Sequence, residues 1–431
     1  MRRYLIGLVA VSSLALASAL PAKPVRTPEQ VAAAALAAAP VWDGHNDVPE
    51  QLRDRRKDVL GTFDFRDTTR ELGEDKWNAG GGSGKPDPMQ TDLPRLRAGK
   101  VGAQFWSVYV SAGLTDQQAV QATLEQIDVM KRVIARYPGD MQFCTDTACV
   151  TDAWKHGKIA SLLGMEGGHS IGGSLGVLRQ MYALGARYMT LTHFKNTAWA
   201  DSGTDAPAHN GLTPFGKDVV REMQRLGMLV DLSHVSQKTM LDAMDVAGAP
   251  VIFSHSGAQG VNAHARNVSD PVLDRLKANG GVVMVNFYPG YASQPLFDWN
   301  VARAGEEARQ KLLHPDRPDL TAAALSTWDN AHPRPAASVA TIADHIDYIV
   351  KRIGIDHVGL GSDFDGGSTG IEGLPDVSAY PALFVELARR GYSQADLEKI
   401  ASGNIMRVLN AAEAYAAAHR GDPPIESPTG F

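Results

Sequence analysis

Short apolar runs recur along the chain, and most are followed by a stretch whose apolar residues return at helical spacing. Runs at 40–46, 101–110, 159–165, 186–192, 228–233, 250–254, 281–287 and 357–362 read as strands. Helical spacing marks 116–137, 173–185, 214–226, 236–247, 270–279 and 337–353 between them. Strands alternating with helices imply a parallel sheet covered by helices, and eight such units close a (β/α)8 TIM-like barrel. An open doubly wound sheet is the main alternative, but no glycine-rich phosphate fingerprint follows the first strand.

The remaining stretches frame that barrel. Residues 23–39 read as one amphipathic helix, with Thr27 as N-cap, Pro28 at the first helical position and Gln30 closing a capping box. Two long loop insertions, 48–100 and 289–335, interrupt the rhythm, and the first contains a Gly/Ser tip at 80–84. Segments 376–391, 393–400 and 403–418 read as extra C-terminal helices, and 420–431 as a loose tail. The expectation is a single barrel domain over 23–419.

Composition narrows the class. An apolar fraction of 44% and a charged fraction of 21% fit a globular protein. Residues 1–22 read as a signal peptide: Arg2-Arg3, an apolar run too short to span a bilayer, then small residues. Export by the general secretory route, to a bacterial periplasm or the medium, is expected over twin-arginine export. Cleavage removes Arg2 and Arg3 and takes the net charge from −6 to −8, which argues against a nucleic-acid partner. The two cysteines, Cys144 and Cys149, are expected as a local disulfide in that compartment rather than as free thiols or metal ligands, although spacing alone does not decide whether they are bridged.

The strand ends carry the candidate chemistry. The first run ends in His45 and Asp47, two residues apart and on one face if the strand continues. Later runs end at Glu166, His193, His234, His255 and Asp363. Singly, each is more often a satisfied strand-end residue than a ligand. Jointly, six of eight strands ending in metal-capable side chains is not a coincidence, because the C-terminal strand ends of such a barrel meet at one active-site face. The set exceeds the three protein ligands of one catalytic zinc, which points to two metal ions sharing a bridging carboxylate. The remaining histidines lack this placement and read as surface or structural.

Several stretches resemble the membrane dipeptidase (renal dipeptidase) family, peptidase family M19, among the amidohydrolase-type metal-dependent barrels. They are Asp43-Gly44-His45-Asn46-Asp47, Gly164-Met165-Glu166-Gly167-Gly168-His169-Ser170, Leu191-Thr192-His193 and Asn196-Thr197-Ala198-Trp199-Ala200-Asp201. Downstream follow Asp231-Leu232-Ser233-His234-Val235-Ser236, Phe253-Ser254-His255-Ser256, Arg266-Asn267-Val268, Met284-Val285-Asn286-Phe287-Tyr288 and Gly361-Ser362-Asp363-Phe364-Asp365-Gly366-Gly367. They stand in the family's order and span roughly 40–410.

The resemblance implies a di-zinc dipeptidase acting on dipeptide substrates, with acceptance of a D-residue at the C-terminal position left open. It implies that His45 and Asp47 bind one Zn2+, that His234 and His255 bind the other, and that Glu166 bridges them. Manganese or cobalt suits the same ligand types. His193 is implied to steady the oxyanion, Asp363 to act as general acid/base, and Arg266 to pair with the substrate carboxylate. On pattern alone Arg266 reads as a helix-capping surface residue. Tyr291 and Tyr288 are within reach of substrate by position, and Asp365, on the face of Asp363, is expected to cap the loop before Gly366-Gly367. Unlike the family's animal members, this chain ends without a hydrophobic tail, so no stable membrane anchor is expected. Members often form homodimers, which no exposed apolar pattern here decides. The competing readings are a di-metal hydrolase of cyclic amides, lactones or phosphoesters, and a non-catalytic exported binding protein.

Overall fold

Strands buried on both faces must be covered on both, and every strand-like run of the sequence is buried in this way in the computed structural model, which describes residues 26–73, 87–367 and 370–428. Eight parallel strands form the barrel: β1 Val41–Asn46, β2 Val101–Tyr109, β3 Ile159–Glu166, β4 Ala186–Thr190, β5 Leu229–Asp231, β6 Ile252–Phe253, β7 Val282–Val285 and β8 Val358–Leu360. Each pairs with its neighbour in sequence, and β8 closes on β1 through Leu360 opposite Asp43. The register aligns Tyr109 with Glu166, Glu166 with Thr190, and Thr190 with Asp231, so one row of side chains crosses four strand ends.

Inside, Trp42, Phe105, Leu162, Tyr188, Ile252 and Met284 form one buried cluster with Ile405, Val408 and Leu409 of the helix Asn404–Ala418. That helix therefore caps the barrel rather than merely flanking it. A larger cluster lies between the strands and the outer helices, including Pro214–Leu226 and Val339–Ile353. Space inside is tight: a Cβ on Gly361 would lie 1.8 Å from the Ser254 carbonyl oxygen, so only glycine lets β8 end there.

The predicted strands and the helices between them are present, and Thr27 and Gln30 form the expected capping box on the helix Pro28–Ala38. Other parts differ. The 289–335 insertion is helical, with Pro289–Ala292, Gln294–Leu313 and Pro318–Ala331. Pro289, Pro295 and Pro318 stand at helix starts, where the missing N–H costs nothing, and Pro315, Pro333 and Pro335 lie in the connections that follow helices. A strand Met141–Phe143 beside β3 and a helix Thr147–Lys155 escaped the sequence pattern because both are short. Cys144 and Cys149, between them, are joined by a disulfide. The expected signal peptide at 1–22 and the glycine-rich tip at 80–84 lie outside the described residues. No helix among the described residues is long and apolar enough to cross a membrane.

The C-terminal segment is tied to the barrel's outer layer through a buried charge. Glu222 is fully buried, takes hydrogen bonds from Arg225 at 2.7 and 2.8 Å and from Arg179 at 3.0 Å, and accepts from the Ile425 backbone N–H at 3.2 Å. Burial pushes its carboxyl up, but these donors outweigh burial and hold it below the usual range. Removing one member of a buried pair strands the others, so Glu222→Gln should lower unfolding stability by about 3 kcal/mol. Because the folded-state value is depressed, Glu222 stabilises the fold above the ordinary carboxylate range and stops doing so as pH falls through the folded-state value. Chemical denaturation at neutral and acidic pH should therefore show the difference between the two proteins shrinking on acidification.

Candidate active site

The row of strand ends meets at a pocket whose centre is the buried carboxylate of Glu166, at the last position of β3. Its Oε1 lies 2.9 Å from His234 Nε2, 3.2 Å from His255 Nε2 and 3.8 Å from His193 Nε2. Its Oε2 lies 3.4 Å from His45 Nε2, which is 3.3 Å from Asp47 Oδ2. All six expected strand ends are thus brought together, with Asp363 lining the same pocket. β1 ends at Asn46, Asp47 follows as the residue before the helix Val48–Arg56, and the two side chains face the same pocket.

Hydroxyl groups fix the ring orientations. Ser254 Oγ donates to Asp231 Oδ2 at 2.6 Å, so it receives His255 Nδ1–H at 2.7 Å and leaves Nε2 as a bare lone pair. The Tyr188 hydroxyl lies 2.8 Å from His45 Nδ1 and turns Nε2 inward in the same way. Hydrogen-bonded partners behind a histidine are the usual support of a metal ligand. Neither Asp231, Ser254 nor Tyr188 was singled out from the sequence as part of the site, although Asp231 and Ser254 stand in the quoted motifs.

The electrostatics call for a cation. His234 Nε2 and His255 Nε2 approach to 2.9 Å, and Ser254 leaves no proton for His255 to offer. His45 Nε2 and Asp47 Oδ1 are buried without a hydrogen-bond partner. Burial holds His234 and His255 well below the ordinary imidazole range and His193 down to about 4, so all three are neutral donors at pH 7. Burial also disfavours charge on His45, yet Tyr188, Asp47 and Glu166 outweigh it and favour a positive charge there. For Glu166, burial is outweighed by His45, His234 and His255, which keep it ionised. Three overlapping groups have donor atoms within 4.8 Å of one another: His45, Glu166 and His255; Glu166, His193 and His234; and His45, Asp47 and Asp363. These residues fit divalent metal, and the groups cut across the pairing expected from the family, with His193 close enough to count as a donor.

The rest of the pocket is polar at defined points. Asn286 Nδ2 donates to Asp363 Oδ2 at 3.0 Å, and burial, with Asp47 adding to it, lifts the Asp363 carboxyl well above its ordinary value. Asp363 and His234 have φ of 64° and 68°, the left-handed region that non-glycine residues seldom occupy, so two of the pocket's donors sit on strained backbone. Gly366 closes over them: a Cβ there would lie 2.2 Å from Asp47 Oδ2 and 2.3 Å from Asp363 Oδ1.

Arg266 is buried rather than a surface cap. Its Nη2 donates to the His255 carbonyl at 3.1 Å, its guanidinium lies 5.4 Å from the Tyr291 ring centre, and its Nε has no partner. Tyr291 and Tyr288 line the same wall. Asp365 does not line the pocket; its Oδ1 accepts from the Gln90 backbone N–H at 2.8 Å and pins the 48–100 insertion. Tyr109, Phe194 and Glu50 complete the lining without having been singled out in advance.

If the hydroxyl behind His255 matters for metal binding, Ser254→Ala should lower metal affinity about 10- to 100-fold. Competition with a chromogenic chelator would measure it, and unchanged affinity would show that Ser254 serves packing alone.

Comparison with known proteins agrees with this geometry. The chain is 42% identical over 343 residues to the dipeptidase tcpJ of Claviceps purpurea, covering 78% of this chain and 72% of that protein. It is 38% identical over 393 residues to dipeptidase 3 of Macaca fascicularis, covering 90% and 68%. Among solved structures, the probable dipeptidase PvdM from Pseudomonas aeruginosa shares the fold with a TM-score of 0.74 at 24% identity, over 90% of this chain and 99% of that one. A metallopeptidase from Rhodobacter sphaeroides, solved with a phosphinate mimic of the dipeptide L-Ala-D-Ala, superposes with a TM-score of 0.67 at 23% identity, over 87% and 99%. The profile described as "Membrane dipeptidase (Peptidase family M19)" matches residues 29–422, and the chain belongs to that family.

Proposed function

We propose that this protein is an exported di-zinc dipeptidase that hydrolyses the peptide bond of dipeptides. The observation that carries the reading is one pocket in which Glu166 and four histidine Nε2 atoms converge while a buried arginine faces the same space. In this reading His45 and Asp47 hold one zinc, His234 and His255 hold the other, and Glu166 bridges them. Bound there, the two ions would polarise the scissile carbonyl and bring the pKa of a water near neutrality.

The chain's own groups supply the rest. Arg266 offers a guanidinium fork to the substrate's C-terminal carboxylate, and Tyr291 keeps that fork in place from its ring face. His193 stands beside Glu166, placed to steady the oxyanion as it develops. Asp363, lifted by burial and held by Asn286, takes the proton of the attacking water at its carboxylate and passes it to the leaving amine. Burial around Glu166 excludes bulk water and strengthens each of these interactions. Export rests on the N-terminal sequence and on the disulfide, a bond typical of oxidising compartments. The L-Ala-D-Ala mimic in the Rhodobacter sphaeroides relative makes L-D dipeptides natural substrates to test.

Hydrolysis of a panel of L-L and L-D dipeptides, with metal content measured on the same sample, tests the reading. About two zinc ions per chain are expected from the two-metal arrangement, with activity lost on chelation and restored by zinc. Bound metal without dipeptide cleavage would move the assignment to a lactone, cyclic amide or phosphoester.

Two variants separate the roles. Arg266→Ala should lower kcat/KM for free-carboxylate dipeptides about 10- to 100-fold, mostly through KM, the usual worth of a charge-assisted hydrogen bond. An equal loss on a neutral lactone would remove Arg266 from carboxylate recognition. Asp363→Asn should lower kcat by about 10²- to 10⁴-fold while zinc stays bound. Loss of zinc from that variant would make Asp363 a ligand instead.

A further inference from the structure

Four acidic side chains line the pocket: Asp47, Glu50, Glu166 and Asp363. Three of them belong to the donor groups that could hold metal, and Glu50 belongs to none. Its side chain is only 8% exposed, on the first turn of the helix Val48–Arg56, three residues beyond Asp47.

Two ordinary roles would explain a glutamate there; the first is not taken up and the second is a single long contact. A glutamate at the third helical position often reaches back to the N–H of the capping residue. The Asp47 N–H instead donates to the Phe364 carbonyl at 3.0 Å. An ion pair with Arg53 is the second role, but that contact is 3.5 Å long. Arg53 is shared: Nη2 faces Glu50, Nη1 donates to the Tyr109 carbonyl at 2.8 Å, and Nε lies 3.4 Å from Asp54. Glu50 thus presents a buried carboxyl with one long ionic contact on the pocket wall, in a place where burial alone would favour an apolar residue.

Its position relative to Arg266 says what the charge meets. Arg266 follows β6 and Glu50 follows β1, three strands further round the barrel, with Tyr109 of the adjacent β2 beside it. A dipeptide whose carboxylate lies on Arg266 directs its N-terminal residue toward β1 and β2. The α-ammonium, one carbon from the scissile carbonyl, stays with the ligands around Glu166. In that pose Glu50, on the first helical turn after Asp47 and lining the same pocket, would meet the end of the side chain. We propose that Glu50 selects dipeptides whose N-terminal residue has a cationic side chain, by pairing with its ammonium or guanidinium. This rests on the dipeptidase reading above.

The test compares kcat/KM for Lys-Ala, norleucine-Ala and Glu-Ala in the zinc-loaded wild-type protein and Glu50→Gln. Norleucine matches lysine in its carbon chain and lacks the charge, so the ratio of Lys-Ala to norleucine-Ala isolates the charge. That ratio is expected to exceed one in the wild type and to fall at least tenfold in Glu50→Gln, in line with the strength of a partly buried charge-assisted contact. Glu50→Lys should raise Glu-Ala relative to Lys-Ala. A ratio unmoved by Glu50→Gln overturns the proposal. Equal losses on all three substrates overturn it as well, and place Glu50 on the shared α-ammonium. A wild-type protein that cleaves none of the three, with two zinc ions bound, overturns the dipeptidase reading and this inference with it, whereas turnover at an unchanged ratio overturns this inference alone.

Discussion

A carboxylate buried among imidazoles is the constraint on which the rest of this structure depends. Glu166 is withdrawn from water, and desolvation of an ion is costly unless charge of opposite sign lies close by. His45, 3.4 Å away, favours positive charge, but the histidines at the other oxygen are neutral and crowd one another: two Nε2 atoms stand 2.9 Å apart, and one of them has no proton to share. Such a cluster is incomplete by itself, because its acids require positive charge and its nitrogens require an acceptor of electron pairs. A divalent cation meets both demands at once, and the backbone strain at His234 and Asp363 is what a fold carries when a site dictates geometry to it.

The barrel supplies the means of holding such a cluster. Parallel pairing sets Glu166 level with Thr190 and Asp231, and His193, His234, His255 and Asp363 follow two or three residues past the ends of their strands, so register fixes the base from which each short turn reaches the mouth. Side chains delivered by strand ends are held more stiffly than those on loops, which suits ligands that must keep their places without flexing. The connections after the strands contribute the rest of the lining: Arg266 after β6, the tyrosines after β7, and Glu50 on the helix after β1.

What was legible in the sequence follows the same division. Each ligand candidate ends an apolar run, and strand ends are visible because burial on both faces leaves an uninterrupted apolar signal. Asp47 stands one residue past the end of β1, at the start of a helix that the apolar pattern did not separate from the loop insertion. Asp231 and Ser254 were invisible as supports because their partners lie on neighbouring strands, and cross-strand register is not written in any local pattern. Arg266 read as a surface residue because nothing within a few positions announces its burial. The helices of the 289–335 insertion were hidden by prolines that break a helix internally but start one equally well. Glu50 has no pattern of its own, and only the shared pocket wall reveals it.

The supports behind the ligands have a symmetry that ties the site to closure of the barrel. Asp231 on β5 accepts the backbone N–H and the hydroxyl of Ser254, at 2.8 and 2.6 Å, just past β6. Asp43 on β1 accepts the same two groups of Ser362, at 2.8 and 2.7 Å, just past β8. Each carboxylate therefore locks a pair of adjacent strands, and each pair carries one side of the centre: His234 and His255 on one, His45 and Asp363 on the other. The closing seam between β8 and β1 has one paired position in its strand register, and past it the Asp43–Ser362 clamp is joined by backbone bonds from Asp363 N–H to the His45 carbonyl and from Asp47 N–H to the Phe364 carbonyl. A buried carboxylate with several donors is costly to break, and here that cost protects both the closure of the barrel and the distance between the two halves of the site. Stability and function then draw on the same bonds, which is why the polar residues beneath the ligands cannot be exchanged for a better-packed apolar core without loosening the centre above them.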